Sequence, residues 1–252
     1  MLFQLVRRDF EQRYVGSAMG WIWGLIQPLV LLLSWTLVFG FFLKQQAPPG
    51  VHSYALFLFA GMLPWMLFSE TLQRSASSIV EQGNLITKTV FPAEIVPVSI
   101  FFSSLVGHAL ALVLMAVAAC IWQGPPSVFL LLLPVYAFAI GLMAVGLGWI
   151  AASLHVFLRD TAQVLSVALT FWFWVTPIFL SEKYYLANPW TSALLAANPL
   201  AYAVRGYRAM LLGYPATPSA ADLGIALGSG AAVFVIGGLF FRHMKRGFAD
   251  VL

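Results

Sequence analysis

Glu70 and Arg74 stand four residues apart, the spacing at which a carboxylate and a guanidinium meet on one face of a helix. Beyond that pair, residues able to do chemistry are few and scattered. The four histidines, His52, His108, His155 and His243, have no carboxylate placed to orient or activate them. His108 falls within an apolar run, where an ionisable side chain is either a functional group or a partner for a neighbouring helix; both readings stay open. Leu227-Gly228-Ser229-Gly230 approaches the serine motif of intramembrane proteolysis but lacks its first glycine. No GxxxxGK[ST] loop to cradle phosphate and no HExxH zinc motif occurs, and paired carboxylates for glycosyl transfer are missing. Cys120 is the single cysteine, so neither a disulfide framework nor a thiolate metal site is expected. The inventory predicts no catalytic residue, no metal ligands and no cofactor held by this chain.

Composition explains the scarcity. Hydrophobic residues make up 61% of the 252 and charged ones 9%, against roughly 25% charged in ordinary soluble domains; mean hydropathy is +0.89. Such a chain has too little polar surface to face water, and an all-α integral membrane protein is predicted. The net charge of +4 sits at the edges of apolar runs and forms no basic tract, so nucleic acid is not an expected partner. The apolar stretch from Tyr14 to Leu43 is 30 residues, longer than the ~7–15 of a cleavable signal, and is expected to stay.

A spanning helix needs about 20 apolar residues. Six segments qualify: 23–43, 54–80, 95–122, 128–156, 161–181 and 223–241. Gly124-Pro125-Pro126-Ser127 splits the 64 residues from Ile95 to Leu158, which contain no Asp, Glu, Lys or Arg. With six spans, one side carries nine Lys/Arg and the other four, which puts both termini in the cytoplasm of a multi-pass inner-membrane protein. Within residues 1–20, Phe3, Val6, Phe10 and Tyr14 share one helical face while Arg8 and Gln12 face away. That pattern predicts an amphipathic helix lying in the membrane interface, or else a solvated extension.

Residues 190–212 are apolar enough to enter the bilayer but contain Asn198-Pro199, Arg205 and Arg208. Each arginine at mid-bilayer would cost about 2.5–3.5 kcal/mol. A re-entrant helical hairpin between the fifth and sixth spans, with the arginines near the outer interface, is therefore predicted. The segment Glu81 to Pro92 reads as a cytoplasmic elbow exposing Leu85, Ile86, Val90 and Phe91, either a docking element or a plain connector. Among the aromatics, Trp35, Phe57, Phe59 and Phe171-Trp172-Phe173-Trp174 lie deeper than an interfacial belt. Four consecutive rings must point all round a helix, toward protein, a lumen or lipid.

The order of short motifs adds a resemblance. It begins with Arg7-Arg8-Asp9 and Arg13-Tyr14-Val15-Gly16-Ser17, then Gly20-Trp21-Ile22-Trp23 and Gln27-Pro28. Gly61-Met62-Leu63-Pro64-Trp65, Ser77-Ser78-Ile79-Val80-Glu81-Gln82-Gly83-Asn84-Leu85-Ile86 and Phe91-Pro92-Ala93-Glu94-Ile95-Val96-Pro97 follow. Phe157-Leu158-Arg159-Asp160, Thr176-Pro177-Ile178, Asn198-Pro199-Leu200 and Phe248-Ala249-Asp250-Val251-Leu252 close the series. Along nearly the whole chain this resembles the ABC-2 type transporter permeases that export polysaccharides, with Ala93 where a basic residue is usual.

The resemblance implies a half-transporter: a homodimer enclosing a channel, with two copies of a separate ABC ATPase that would bind ATP and Mg. Its cargo would be a lipid-linked polysaccharide, most readily O-antigen, with capsule or teichoic acid as alternatives. It implies a coupling helix at 84–92, with Leu85, Ile86, Lys88, Val90 and Phe91 seated in the ATPase. Arg7, Arg8 and Arg13 would meet the lipid diphosphate, since guanidinium forks suit phosphate oxygens, or simply anchor the chain. Trp35, Phe57, Phe171, Trp172 and Trp174 would line the conduit, and Glu70, Arg74, Arg205 and Arg208 would serve structure or gating. A drug or small-lipid exporter of the same superfamily, and an intramembrane enzyme acting on a lipid-linked sugar, are the other readings.

Overall fold

The computed structural model describes residues 2–12, 19–83, 92–124, 128–214 and 218–250, all helix, turn or loop. Helix α1 is Leu2–Gln12. Helix α2, Trp23–Trp35, continues as a wider π-helical stretch, Thr36–Phe42. Then come α3, Tyr54–Glu81; α4, Ile95–Trp122; α5, Leu133–Phe157, led in by Val128–Leu132; and α6, Thr161–Val175. Three shorter helices follow, α7 at Glu182–Leu186, α8 at Pro189–Ala197 and α9 at Pro199–Leu212. Helix α10 is Ala220–Met244, extended by Lys245–Asp250. Among the described residues, five helical stretches are long and apolar enough to cross a membrane: Trp23–Phe42, Tyr54–Glu81, Ile95–Trp122, Val128–Phe157 and Ala220–Phe248. This is a multi-pass membrane protein.

The bundle is built around α3. Its 28 residues extend about 42 Å, and 78% of its apolar window is buried inside the protein. It packs against α4, α5 and α9, with α2 and α6 touching it more lightly. Two of its serines bond within the helix: Ser75 donates to the Thr71 carbonyl and Ser78 to that of Ser75, both at 2.7 Å. That bonding lets polar side chains sit in an apolar interior. The most extensive contact joins α5 to α10, and glycine makes it possible. A Cβ at Gly237 would collide with the backbone of Gly146, and one at Gly146 would lie 2.5 Å from the Val233 carbonyl oxygen. Small residues let two backbones touch where lipid supplies no hydrophobic drive.

Ion pairs and hydrogen bonds define two ends. Arg74 meets Asp9 and Lys245 meets Glu94 at one end, where Trp149 also donates to the Glu94 carbonyl at 3.0 Å. At the other, Arg205 meets Glu182 and Asp222, and Gln123 binds His52, Gly50 and Leu212. Residues 9 and 245 therefore share an end.

The predicted fifth span, 161–181, is helical over only part of its length. Its helix stops at Val175, and 15 residues rise only about 22 Å. Pro177 disfavours helical backbone at the residue before it, and Thr176 accordingly turns to extended backbone with ψ 135°. The predicted helix over 1–20 is described as Leu2–Gln12, with residues 13–18 outside the described set. The predicted hairpin over 190–212 is two helices broken at Asn198.

Candidate functional site

The hairpin is written in two Asn-Pro pairs, of which sequence reading used only the second. Asn188 and Asn198 each accept a hydrogen bond from the backbone two residues on, at Trp190 and Leu200. Pro189 and Pro199 begin the helices, where a missing N–H costs nothing. Asn198 is buried, and it ties the hairpin to α6 as well. Its Oδ1 accepts from Trp172 Nε1 at 3.0 Å and its Nδ2 donates to Thr176 Oγ1 at 3.0 Å. Gly213, at φ +67°, ends α9 in the left-handed backbone that suits glycine.

Arg208, expected near the outer interface, is enclosed by the protein. It is 2% exposed and spends its guanidinium on backbone carbonyls. Nε donates to Phe57 at 3.2 Å, Nη1 to Pro177 at 2.6 Å and Nη2 to Ile178 at 2.5 Å. The carbonyls of Pro177 and Ile178 are among those released where α6 breaks, and the arginine is what satisfies them. Its charge rests on the Phe57 ring, 3.5 Å from the centroid. Gly61 makes room, since a Cβ there would lie 2.6 Å from Nη2. Phe57, expected to line a channel, is fully buried in this clamp.

Arg205, half-buried, gathers two carboxylates from different elements. It meets Glu182 at 2.7 Å through Nη2 and Asp222 at 2.8 Å through Nη1, joining α7, α9 and α10. Sequence reading placed the arginine and missed both partners. Asp222 carried a signal, because it is the one acidic residue of an apolar helix and sits in its first turn.

At the opposite end, Glu70 and Arg74 approach only to 3.8 Å. Arg74 Nη2 bonds both Asp9 oxygens more tightly, at 2.6 and 2.7 Å, which clamps α1 to α3. Ser104 Oγ donates to Glu70 at 3.2 Å and adds α4. Arg7 pairs with Glu11 on the exposed face of α1 at 2.7 Å, and Arg8 is exposed. Arg13 lies outside the described residues, as do Leu85, Ile86, Lys88, Val90 and Phe91 of the elbow. Lys245 Nζ bonds both oxygens of Glu94, at 2.8 and 3.0 Å. Partial burial pushes the Glu94 carboxyl up, but Lys245, with help from Arg242, more than offsets this and holds it below its ordinary value.

The remaining aromatics separate. Phe171 and Trp174 are 72% and 64% exposed, whereas Trp172 turns inward, edge-on to Phe68 at 5.1 Å. Trp35 is half-buried and edge-on to Phe59. His108 Nε2 lies 2.9 Å from the Tyr207 hydroxyl in the interior, a bond between helices that gives the histidine a structural place. Ser229 donates to the Ile225 carbonyl of its own helix at 2.7 Å, and none of its hydrogen bonds is to a histidine.

The ABC-2 type transporter family model matches residues 1–212. The chain belongs to that family. An O-antigen export system permease protein RfbA from Myxococcus xanthus is 31% identical over 210 residues, covering 83% of this chain and 79% of that protein. Two Klebsiella pneumoniae proteins of the same name are 25% and 24% identical, each over 100% of this chain and 95% of its own length. The motifs of this ABC-2 protein fall on the geometry above: Gly61 makes room for Arg208, Thr176-Pro177-Ile178 bends toward it, and Asn198-Pro199 caps the helix that carries it.

Proposed function

We propose that this chain is the permease subunit of an ATP-driven exporter that moves lipid-linked O-antigen from the cytoplasmic to the outer face of the bacterial inner membrane. The observation carrying this reading is the end-to-end match to proteins named O-antigen export permeases. In this reading two copies form the conduit, and two copies of a separate ABC ATPase bind ATP and Mg and dock on the elbow at 84–92. The geometry supports a half-pore: only 11% of the Trp23–Phe42 window is buried, and α6 also turns Phe171 and Trp174 outward. Those faces would give a passing polymer weak, repeated contacts with few fixed charges.

Both termini then lie in the cytoplasm. Helix α6 with residues 176–181 completes a sixth crossing, and α8 and α9 re-enter from outside. In this reading Arg7, Arg8 and Arg13 receive the lipid diphosphate. A host strain lacking this chain should display no surface O-antigen, and supplying the chain should restore it. Restoration by a chain whose Ile86 and Phe91 are both replaced by Asp would remove the docking role of the elbow. Normal O-antigen display in the strain lacking the chain would remove the function itself.

A further inference from the structure

At the Arg205 end, the loop after α2 and the turn before α7 enclose a pocket of about 530 Å³, within the size range of small-ligand sites. Its lining differs from the rest of this apolar molecule. Lys44 and Lys183 contribute two ammonium groups, and among the described residues no carboxylate lines the pocket with them. The neighbouring Glu182 is already held by Arg205 at 2.7 Å, so it does not neutralise them.

Gln45 and Gln46 add carboxamides that both donate and accept, and Tyr184 adds an exposed ring beside Lys183. A further observation points to a ligand. Ser181 lines the pocket, is 6% exposed, and its buried hydroxyl makes no hydrogen bond within the protein; an unpaired buried hydroxyl is costly to keep.

We propose that this outer pocket binds an acidic sugar unit, a pyranose ring bearing a carboxylate. The two lysines take the anion, the carboxamides and Ser181 take ring hydroxyls, and the Tyr184 face takes the apolar C–H side of the ring. This deepens the reading above, because it rests on a glycan emerging at this end.

The test measures binding of sodium glucuronate and of neutral methyl glucoside to the purified full-length chain in phosphatidylcholine nanodiscs. Glucuronate binds the native chain more tightly than methyl glucoside does. Lys44→Gln with Lys183→Gln weakens it roughly tenfold or more, and Ser181→Ala weakens both ligands. Equal glucuronate affinity in the double variant, or equal affinity of native chain for the two sugars, overturns the proposal. Inorganic phosphate competing as well as glucuronate does shows a bare anion site and overturns the sugar. Loss of glucuronate binding in nanodiscs rich in phosphatidylglycerol assigns the pocket to a lipid headgroup and overturns it too. Binding is read without transport, so failure here leaves the export assay standing, and failure of export leaves the binding result interpretable.

Discussion

Arg208 illustrates how a charge survives burial here. Its donors meet three carbonyls, two of them set free by the break at Pro177, so arginine and break need each other. Replacing Arg208 with Met should leave those acceptors unpaired and cost roughly 3 kcal/mol or more, read as a lower thermal midpoint in detergent. Gly61→Ala should reproduce part of that loss without touching any charge, because its methyl would press on Nη2. A midpoint equal to the native one in both variants would show that the clamp contributes nothing. The Glu94–Lys245 pair behaves differently, since both side chains are more than a third exposed. Its depressed carboxyl contributes stability above the ordinary glutamate pKa, and that contribution is lost as pH falls through the lowered value. Solvent screening keeps it below about 1 kcal/mol. Lys245→Gln should therefore flatten the acid limb of a midpoint-against-pH curve and lower the neutral plateau slightly; an unchanged acid limb would exclude the pair as its source.

At the scale of elements, α6 and the hairpin behave as one unit through Trp172, Asn198 and Thr176. Trp172→Phe removes the indole donor and should destabilise by roughly 1 kcal/mol, whereas Trp174→Ala, on the exposed face, should stay within about 0.5 kcal/mol. Thermal midpoints distinguish these, and a larger loss at Trp174 would reverse the assignment of faces. The long spans could be read in the sequence because some 20 apolar residues in a row admit few other interpretations. The Asn198-Pro199 break was equally legible. The early stop of α6 was not, because apolar residues continue past Thr176-Pro177 and mask the end of the helix. The burial of Phe57 was hidden for a related reason: α3 is apolar around most of its girth, so periodicity carries no information about which side is enclosed. The pairs Asp9–Arg74, Glu94–Lys245 and Glu182–Arg205–Asp222 unite residues far apart in the chain, and only packing brings them together.

For the whole molecule, the sharing of one end by residues 9 and 245 turns the proposed topology into a labelling experiment. In a Cys120→Ser background, a cysteine at Ala187 should react with an impermeant thiol reagent from outside intact cells. A cysteine at His243 should react only after the membrane is opened. Reversed labelling would place the His243 end outside, and labelling of both from outside would deny that residues 187 and 243 lie at opposite ends.

The glycine seam between α5 and α10 has a mechanical consequence. Where backbone rests on backbone, no compliant layer of side chains remains to absorb sliding, and an interface that lacks such a layer is stiff to shear. Together with α3, which grips α5 along the same length, the two helices form a beam. In the exporter proposed above, a push delivered at the Arg74 end would be carried toward the Arg205 end, and displacement would be taken up at α2 and α6, which are held more loosely.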